Sequence, residues 1–274
     1  MDQLVSTEWL AGELGQSDLR VVDASATLPA AGRDAKKEHE GGHIAGAVFL
    51  DLAELTKDGL PSAEKFASRM QSLGLGDGSR IVIYDDSPLH SSCRAWWLLE
   101  MFGAHSVAVL DGGLAKWKAE GRPLATGAET VRHRHFTPFR DDAMLASKAD
   151  VLANLHGHQA ELVDARSTGR FAGTEPESRE GLAGGHIPGS CSLPYEGLFC
   201  ADDTWKRDGE LRAAFESAGV DLDKPMITTC GGGTTAAVLL FGARLMGKHD
   251  VRLYDGSWAE WGADADLPKA TGTQ

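Results

Sequence analysis

Gly42-His43-Ile44-Ala45-Gly46 and Gly185-His186-Ile187-Pro188-Gly189 are one turn written twice. A Val-Asp-Ala triplet precedes each of them, at Val22-Asp23-Ala24 and at Val163-Asp164-Ala165. Further along, His105-Ser106-Val107 returns as His249-Asp250-Val251, Asp111-Gly112 as Asp255-Gly256, and Trp117 as Trp261. The offsets run from 141 to 144 residues through five landmarks in the same order. Such a constant period marks an internal duplication. The copies are expected over residues 1–124 and 148–274, joined by a linker over 125–147. The linker carries Val131-Arg132-His133-Arg134-His135 and Thr137-Pro138. Its basic cluster reads as solvated chain in preference to a contact or metal patch.

Each copy alternates short apolar runs with helical segments. Strands are expected at Leu19–Val22, Ala47–Leu50, Arg80–Tyr84 and Val107–Leu110. Their counterparts are Glu161–Val163, Ser192–Pro194, Pro225–Thr229 and Val251–Tyr254. Apolar helices follow at Ala95–Phe102 and Thr235–Met246. This alternation predicts an α/β class, two domains each with a mainly parallel sheet flanked by helices. In such sheets the ligand sits at the carboxyl ends of the strands. That directs attention to the loops after Tyr84 and Thr229.

The 274 residues, 42% hydrophobic and 24% charged, form an ordinary globular composition. The formal net charge of −13 speaks against nucleic acid and against anionic membrane surfaces as partners. An anionic substrate would have to be attracted locally. Cys93, Cys191, Cys200 and Cys230 lie far apart, without zinc spacing or a paired motif. Reduced thiols, no leader at Met1-Asp2-Gln3-Leu4-Val5 and no apolar run of membrane length together suggest a cytoplasmic protein.

The most informative stretch is Thr229-Cys230-Gly231-Gly232-Gly233-Thr234-Thr235-Ala236. A thiol stands where a strand ends, three glycines follow, and a helix begins. Glycines let backbone N–H groups turn inward as an anion nest, and the helix N-terminus adds positive potential that favours an anion on the sulfur. A Cys-dependent phosphatase loop needs an Arg six residues after the Cys, where Ala236 stands. The Lys of a nucleotide-binding loop is absent too.

On these residues the chain resembles the two-domain rhodanese family, in particular its 3-mercaptopyruvate sulfurtransferase branch. The resemblance rests on both Gly-His-Ile turns, the paired Asp-Gly turns, Gly256-Ser257-Trp258-x-Glu260-Trp261 and Gly169-Arg170-Phe171-x-Gly173-Thr174-Glu175-Pro176-Glu177. It implies one catalytic copy, the second, with Cys230 carrying sulfane sulfur as a persulfide. Asp85 occupies the corresponding place in the first copy, and a carboxylate cannot carry that sulfur. Thiosulfate-type members resemble Cys-Arg-Lys-Gly-Val-Thr in this loop, whereas Cys230-Gly231-Gly232-Gly233-Thr234-Thr235-Ala236 is neutral like the mercaptopyruvate branch. Arg170 and, nine residues on, Arg179 are expected to grip the carboxylate and carbonyl of a 2-oxo acid. The bland alternative pairs them with Glu175, Glu177 and Glu180. The branch's loop Ser is replaced by Gly232, and Ala53 stands where its first-copy Asp is expected.

The resemblance therefore implies a small anionic sulfur donor and a thiol acceptor (thioredoxin or a small thiol) or cyanide, with no metal or organic cofactor. Backbone groups of Gly231, Gly232, Gly233, Thr234 and Thr235 are expected to stabilise the persulfide. Thiosulfate:cyanide sulfur transfer is the alternative reaction, and a slow persulfide carrier the alternative class. His43 and His186 read as turn-stabilising, Cys93 as packing, and Trp96, Trp97 and Trp258 as core or interface residues.

Overall fold

The computed structural model describes residues 1–28 and 31–273. The chain divides into two compact units, Met1–Asp141 with Asp202–Thr204, and Asp142–Ala201 with Trp205–Gln274. In the first unit the strands are β1 (Leu4–Val5), β2 (Leu19–Asp23), β3 (Ala47–Phe49), β4 (Arg80–Tyr84) and β5 (Val107–Leu110). In the second they are β6 (Leu145–Ala146), β7 (Glu161–Asp164), β8 (Ser190–Ser192), β9 (Met226–Thr229) and β10 (Val251–Tyr254). The sheet orders are β1-β5-β4-β2-β3 and β6-β10-β9-β7-β8, which is one topology used twice. Every pairing is parallel. Parallel neighbours require crossover connections, so helices cover the sheets and the innermost strands are buried along most of their length.

The helices that follow the two innermost strands are Ser92–Met101 and Ala236–Leu245. Neither has a polar face. Trp96, Trp97, Leu98 and Leu99 in one, and Val238 to Phe241 in the other, are fully buried. A helix apolar all round can only be an interior element, which fixes the loop ahead of it against the sheet. Each sheet has its own apolar core. One gathers Val21, Val82, Tyr84 and Trp117, the other Leu162, Ile227, Tyr254 and Trp261.

The duplicated turn has the same structural task in both units. His43 and Ala125 form an antiparallel bridge, as do His186 and Ala270. The His43 Nδ1 lies 2.8 Å from the His39 carbonyl and the His186 Nδ1 2.8 Å from that of Phe171. Each imidazole is stacked on the side chain of that same residue, at 4.2 and 3.7 Å between ring centroids. Trp117 and Trp261 likewise donate to the carbonyls of Pro123 and Pro268, both at 2.9 Å.

Three elements differ from the sequence reading. Two-residue strands β1 and β6 close one edge of each sheet; they are too short to show a period. The third strand of the second copy is Ser190–Ser192, two residues earlier than expected, because Ser190, Cys191 and Ser192 pair with Leu162, Val163 and Asp164. Finally, the segment expected as a linker over 125–147 is structured at both ends. Through Asp141 it belongs to the first unit: Thr137 donates to Asp77 at 2.8 and 2.6 Å, and Phe136 packs edge-on against Phe66. Leu145–Ala146 is β6 of the second sheet. No helix among the described residues is long and apolar enough to cross a membrane.

Candidate active site

Strand β9 ends at Thr229, and Cys230 is the next residue, buried at 2% exposure. Its backbone is tied on both sides to the turn after β10. The Cys230 N–H donates to the Ser257 hydroxyl at 3.1 Å, and the Trp258 N–H donates to the Cys230 carbonyl at 2.9 Å. The Ala259 N–H holds the Gly231 carbonyl at the same distance. Ser257 is fully buried at φ +50°, a left-handed conformation uncommon for a residue with a side chain. Its hydroxyl donates to the Tyr254 carbonyl at 2.8 Å.

Gly233, at φ +84°, donates its N–H to the Cys230 Sγ at 3.0 Å. The N–H groups of Gly231, Gly232, Thr234 and Thr235 have no acceptor among the described residues. The loop thus offers a sulfur anion one engaged donor and a set of uncommitted ones, ahead of a ten-residue helix.

Both arginines singled out from the sequence stand over this loop. A Cβ on Gly231 would lie 2.9 Å from the Arg170 Nη2, and one on Gly232 3.2 Å from the Arg179 Nη2. At Gly231 a side chain would therefore displace the guanidinium. Arg179 is exposed and makes no ion pair among the described residues. Arg170 is held. Its Nη2 and Nε reach the Glu177 Oε2 at 2.5 and 3.1 Å, so the pairing considered as a bland alternative exists alongside the approach to the loop.

Glu177 leads to a network that sequence reasoning missed. Its other oxygen accepts from the Arg166 Nη1 at 2.7 Å, and Arg166 also donates to Asp164 at 2.6 Å and to the Gly185 carbonyl at 2.8 Å. The Arg166 guanidinium lies 4.5 Å over the ring of Trp258. Burial opposes its charge, but Asp164 and then Glu177 outweigh that and hold it above the ordinary arginine value. Asp164, Arg166, Glu177 and Arg170 thus alternate in sign from the end of β7 to the rim of the loop. The available signal was the Asp164-Ala165-Arg166 triplet, where the first copy has Ser25 in place of the arginine.

The first copy shows the same frame with different chemistry. Asp85 follows β4 as Cys230 follows β9, and the Leu114 N–H holds its carbonyl at 3.0 Å as that of Trp258 holds Cys230. The Asp85 carboxylate accepts from the N–H groups of Ser87 and Ser92 at 3.0 and 2.7 Å. Cys93, just beyond, is fully buried, and burial with the Asp85 charge pushes its thiol well up. Trp96, Trp97 and Trp258 are core residues. No group of three or more His, Cys, Asp or Glu among the described residues is arranged to hold a metal ion.

Comparison with known proteins places this geometry. Residues 6–120 and 147–264 each match the family described as Rhodanese-like domain. The chain is 42% identical to the human 3-mercaptopyruvate sulfurtransferase over 271 residues, covering 94% of this chain and 91% of that protein. Against the 3-mercaptopyruvate sulfurtransferase of Escherichia coli K12 the identity is 38%, with 96% of each chain covered. It is also 40% identical to the thiosulfate sulfurtransferase of Bos taurus, over 94% of this chain and 91% of that one. The crystal structure of SseA from Escherichia coli, a 3-mercaptopyruvate sulfotransferase, superposes with a TM-score of 0.86 at 35% identity, covering 94% of this chain and 99% of that one.

Proposed function

The chain belongs to the rhodanese family, and from that premise we propose that it is a sulfurtransferase acting on 3-mercaptopyruvate through a persulfide on Cys230. Overall identity does not choose the donor, because relatives named for mercaptopyruvate and for thiosulfate are equally similar. The loop supports the choice. It presents no cation of its own to a dianion, and its two guanidinium groups approach from outside, over Gly231 and Gly232. That arrangement suits a planar 2-oxo carboxylate, which two forked guanidinium groups can hold at carboxylate and carbonyl together. This is the observation that carries the reading.

In the reaction the Cys230 thiolate attacks the donor's sulfur, an S–S bond forms and the C–S bond breaks. The electron pair leaves on carbon as the enolate of pyruvate, which takes up the proton carried in on the donor's thiol. Arg170 and Arg179 hold the carboxylate and share the enolate's charge, while the loop amides stabilise the persulfide anion. An acceptor thiolate or cyanide then attacks the outer sulfur and restores the Cys230 thiolate. Atoms and electrons balance without an added oxidant.

The test compares kcat/KM for 3-mercaptopyruvate and for thiosulfate on the wild type, Cys230→Ser and Arg179→Ala. Cys230→Ser is expected to release no pyruvate. Arg179→Ala is expected to lose efficiency with mercaptopyruvate by ~10-fold or more, the worth of one or two charge-assisted hydrogen bonds. A thiosulfate efficiency above that for mercaptopyruvate overturns the donor assignment, and activity surviving in Cys230→Ser overturns the site.

A further inference from the structure

The Arg- and His-rich stretch Val131 to His135 takes no part in the chemistry above, yet it does not lie free. Its Val131, Arg132 and Arg134 line a cavity of about 370 Å³ in the first unit, at the end of the sheet where β2 begins. The Asp85 loop lies at the opposite, carboxyl end of the same sheet. Arg20, Arg132 and Arg134 face this cavity together. Arg20 donates only to backbone carbonyls, to Gly74 at 3.2 Å, to Ser17 at 3.0 Å and to Leu19. Arg134 donates to the same Ser17 carbonyl at 3.3 Å. Two guanidinium groups therefore share one acceptor. Burial and then the neighbouring Arg134 charge lower the proton affinity of Arg20 below the ordinary arginine value, with the Asp18 charge acting the other way.

Several other arginines are paired, although Arg179 makes no ion pair among the described residues. Arg33, Arg80, Arg122, Arg166, Arg170 and Arg252 all have carboxylate partners. Arg20, Arg132 and Arg134 form no ion pair among the described residues, in a chain of net charge −13. The one carboxylate on the cavity wall, Glu129, is turned to the Gly46 N–H at 2.9 Å and to His43. The feature belongs to the first copy alone, because Glu161 stands at the position of Arg20 in the second, paired with Lys224. Like charges gathered around one cavity, with Asp18 offsetting only part of the charge on Arg20, cost stability unless a further anion joins them.

We propose that this cavity binds the phosphoryl group of a small organic phosphate. Of the five N–H donors on Arg20, three are committed, leaving two uncommitted on a residue that lines the cavity with Arg132 and Arg134. A phosphoryl group offers three terminal oxygens and up to two charges to such a cluster, where a carboxylate offers two oxygens and one charge. The volume lies in the range of small-molecule pockets, and Leu14 and Val131 give it an apolar wall for an organic remainder.

The experiment is calorimetric titration of the full-length protein with phenyl phosphate, phenol and inorganic phosphate at low ionic strength. Phenyl phosphate is expected to bind saturably in the millimolar range or below, inorganic phosphate more weakly, and phenol not at all. Arg132→Glu with Arg134→Glu, both exposed and so harmless to folding, is expected to weaken binding by ~10-fold or more, and Arg20→Ala likewise. Arg170→Ala with Arg179→Ala is expected to bind as the wild type does, which separates this cavity from the sulfur-transfer site. The proposal is overturned if phenyl phosphate does not saturate, if the charge-reversed variant binds unchanged, if phenol binds equally, or if loss of Arg170 and Arg179 removes binding. Inorganic phosphate binding as tightly as phenyl phosphate overturns the organic ligand.

Discussion

Glu177→Gln keeps the shape of the side chain and removes one charge from the alternating row of Asp164, Arg166, Glu177 and Arg170. The Glu177 side chain is 2% exposed and touches both arginines, through Arg166 Nη1 at 2.7 Å and Arg170 Nη2 at 2.5 Å. Arg166 keeps Asp164 and the Gly185 carbonyl after the change. Arg170 loses the carboxylate that, among the described residues, sets its angle over Gly231. Breaking a buried pair costs ~3–5 kcal/mol. With Arg170 a quarter exposed and Arg166 still satisfied, the stability loss should fall to ~1–3 kcal/mol. The kinetic effect follows from position. A misplacement of about 1 Å in an orienting group costs up to ~10²-fold, so kcat/KM for 3-mercaptopyruvate should drop by ~10- to 100-fold. Alkylation of Cys230 by iodoacetamide should stay near the wild-type rate, because its contacts to Gly233 and Ser257 are untouched. Glu177 acts through Arg170, so adding Glu177→Gln to Arg170→Ala should cost almost nothing further in kcat/KM, a strongly non-additive cycle. A folded Glu177→Gln protein of wild-type efficiency, or full additivity with Arg170→Ala, would refute this positioning role.

Gly232→Ser should fold unchanged, since the new Cβ meets only the flexible end of Arg179 at 3.2 Å. It should raise kcat with mercaptopyruvate by ~10-fold if a hydroxyl there can protonate the enolate; an unchanged kcat excludes that role. Burial holds the Asp85 carboxyl above the ordinary carboxylate range, against the His90 charge and the amides of Ser92 and Ser87. A folded value above the unfolded one means stability that is full at low pH and lost as pH rises through the folded value. Asp85→Asn should therefore raise Tm relative to wild type more at about pH 8 than at about pH 4, and a gain shrinking with pH contradicts this. Among the other thiols, Cys200 is exposed, Cys191 is raised by burial and then by Glu161, and Cys93 is buried and raised further. Brief alkylation read by mass spectrometry should modify them in that order, and early labelling of Cys93 would contradict the packing.

The innermost strands were readable because Ile81-Val82-Ile83 and Ile227-Thr228-Thr229 are β-branched runs bounded by turn residues. The duplication then set the topology of each sheet from the other. Strands β1 and β6 carry no such signal; two residues gain their strand conformation from a neighbour already in place. The site divides in the same way. Cys230 and the glycines declare themselves by residue type, whereas Arg170 and Arg179 stand out only through the family resemblance, since arginines among Glu175, Glu177 and Glu180 otherwise read as surface pairs. Glu177 and Arg166 do not declare themselves, because a buried carboxylate and a surface one look alike until burial and distance separate them. Ser257 was legible only as part of a turn. Its left-handed backbone, which points its hydroxyl at the Cys230 N–H, is a consequence of the packed fold and not of any local propensity.

The two loops explain each other. In an aspartate the carboxylate oxygens lie two bonds beyond Cβ, where the outer sulfur of a cysteine persulfide also lies. Asp85 places its oxygens on the N–H groups of Ser87 and of Ser92, the first residue of the following helix. The second copy keeps the same backbone frame, with the Cys230 carbonyl bound as that of Asp85 is. Its loop is one residue shorter and built of glycines, and several of its amides have no partner among the described residues. The first copy therefore carries a side-chain carboxyl, built in, where the second acquires an outer sulfur only when it is loaded. In the first, the amides of Ser87 and Ser92 are already committed to that carboxyl. In the second the loop amides are left for the intermediate, so that part of the persulfide's stabilisation is an interaction the resting enzyme does not make. Stabilising the loaded form more than the empty one favours sulfur abstraction from the donor, and the residues that achieve it are mostly backbone.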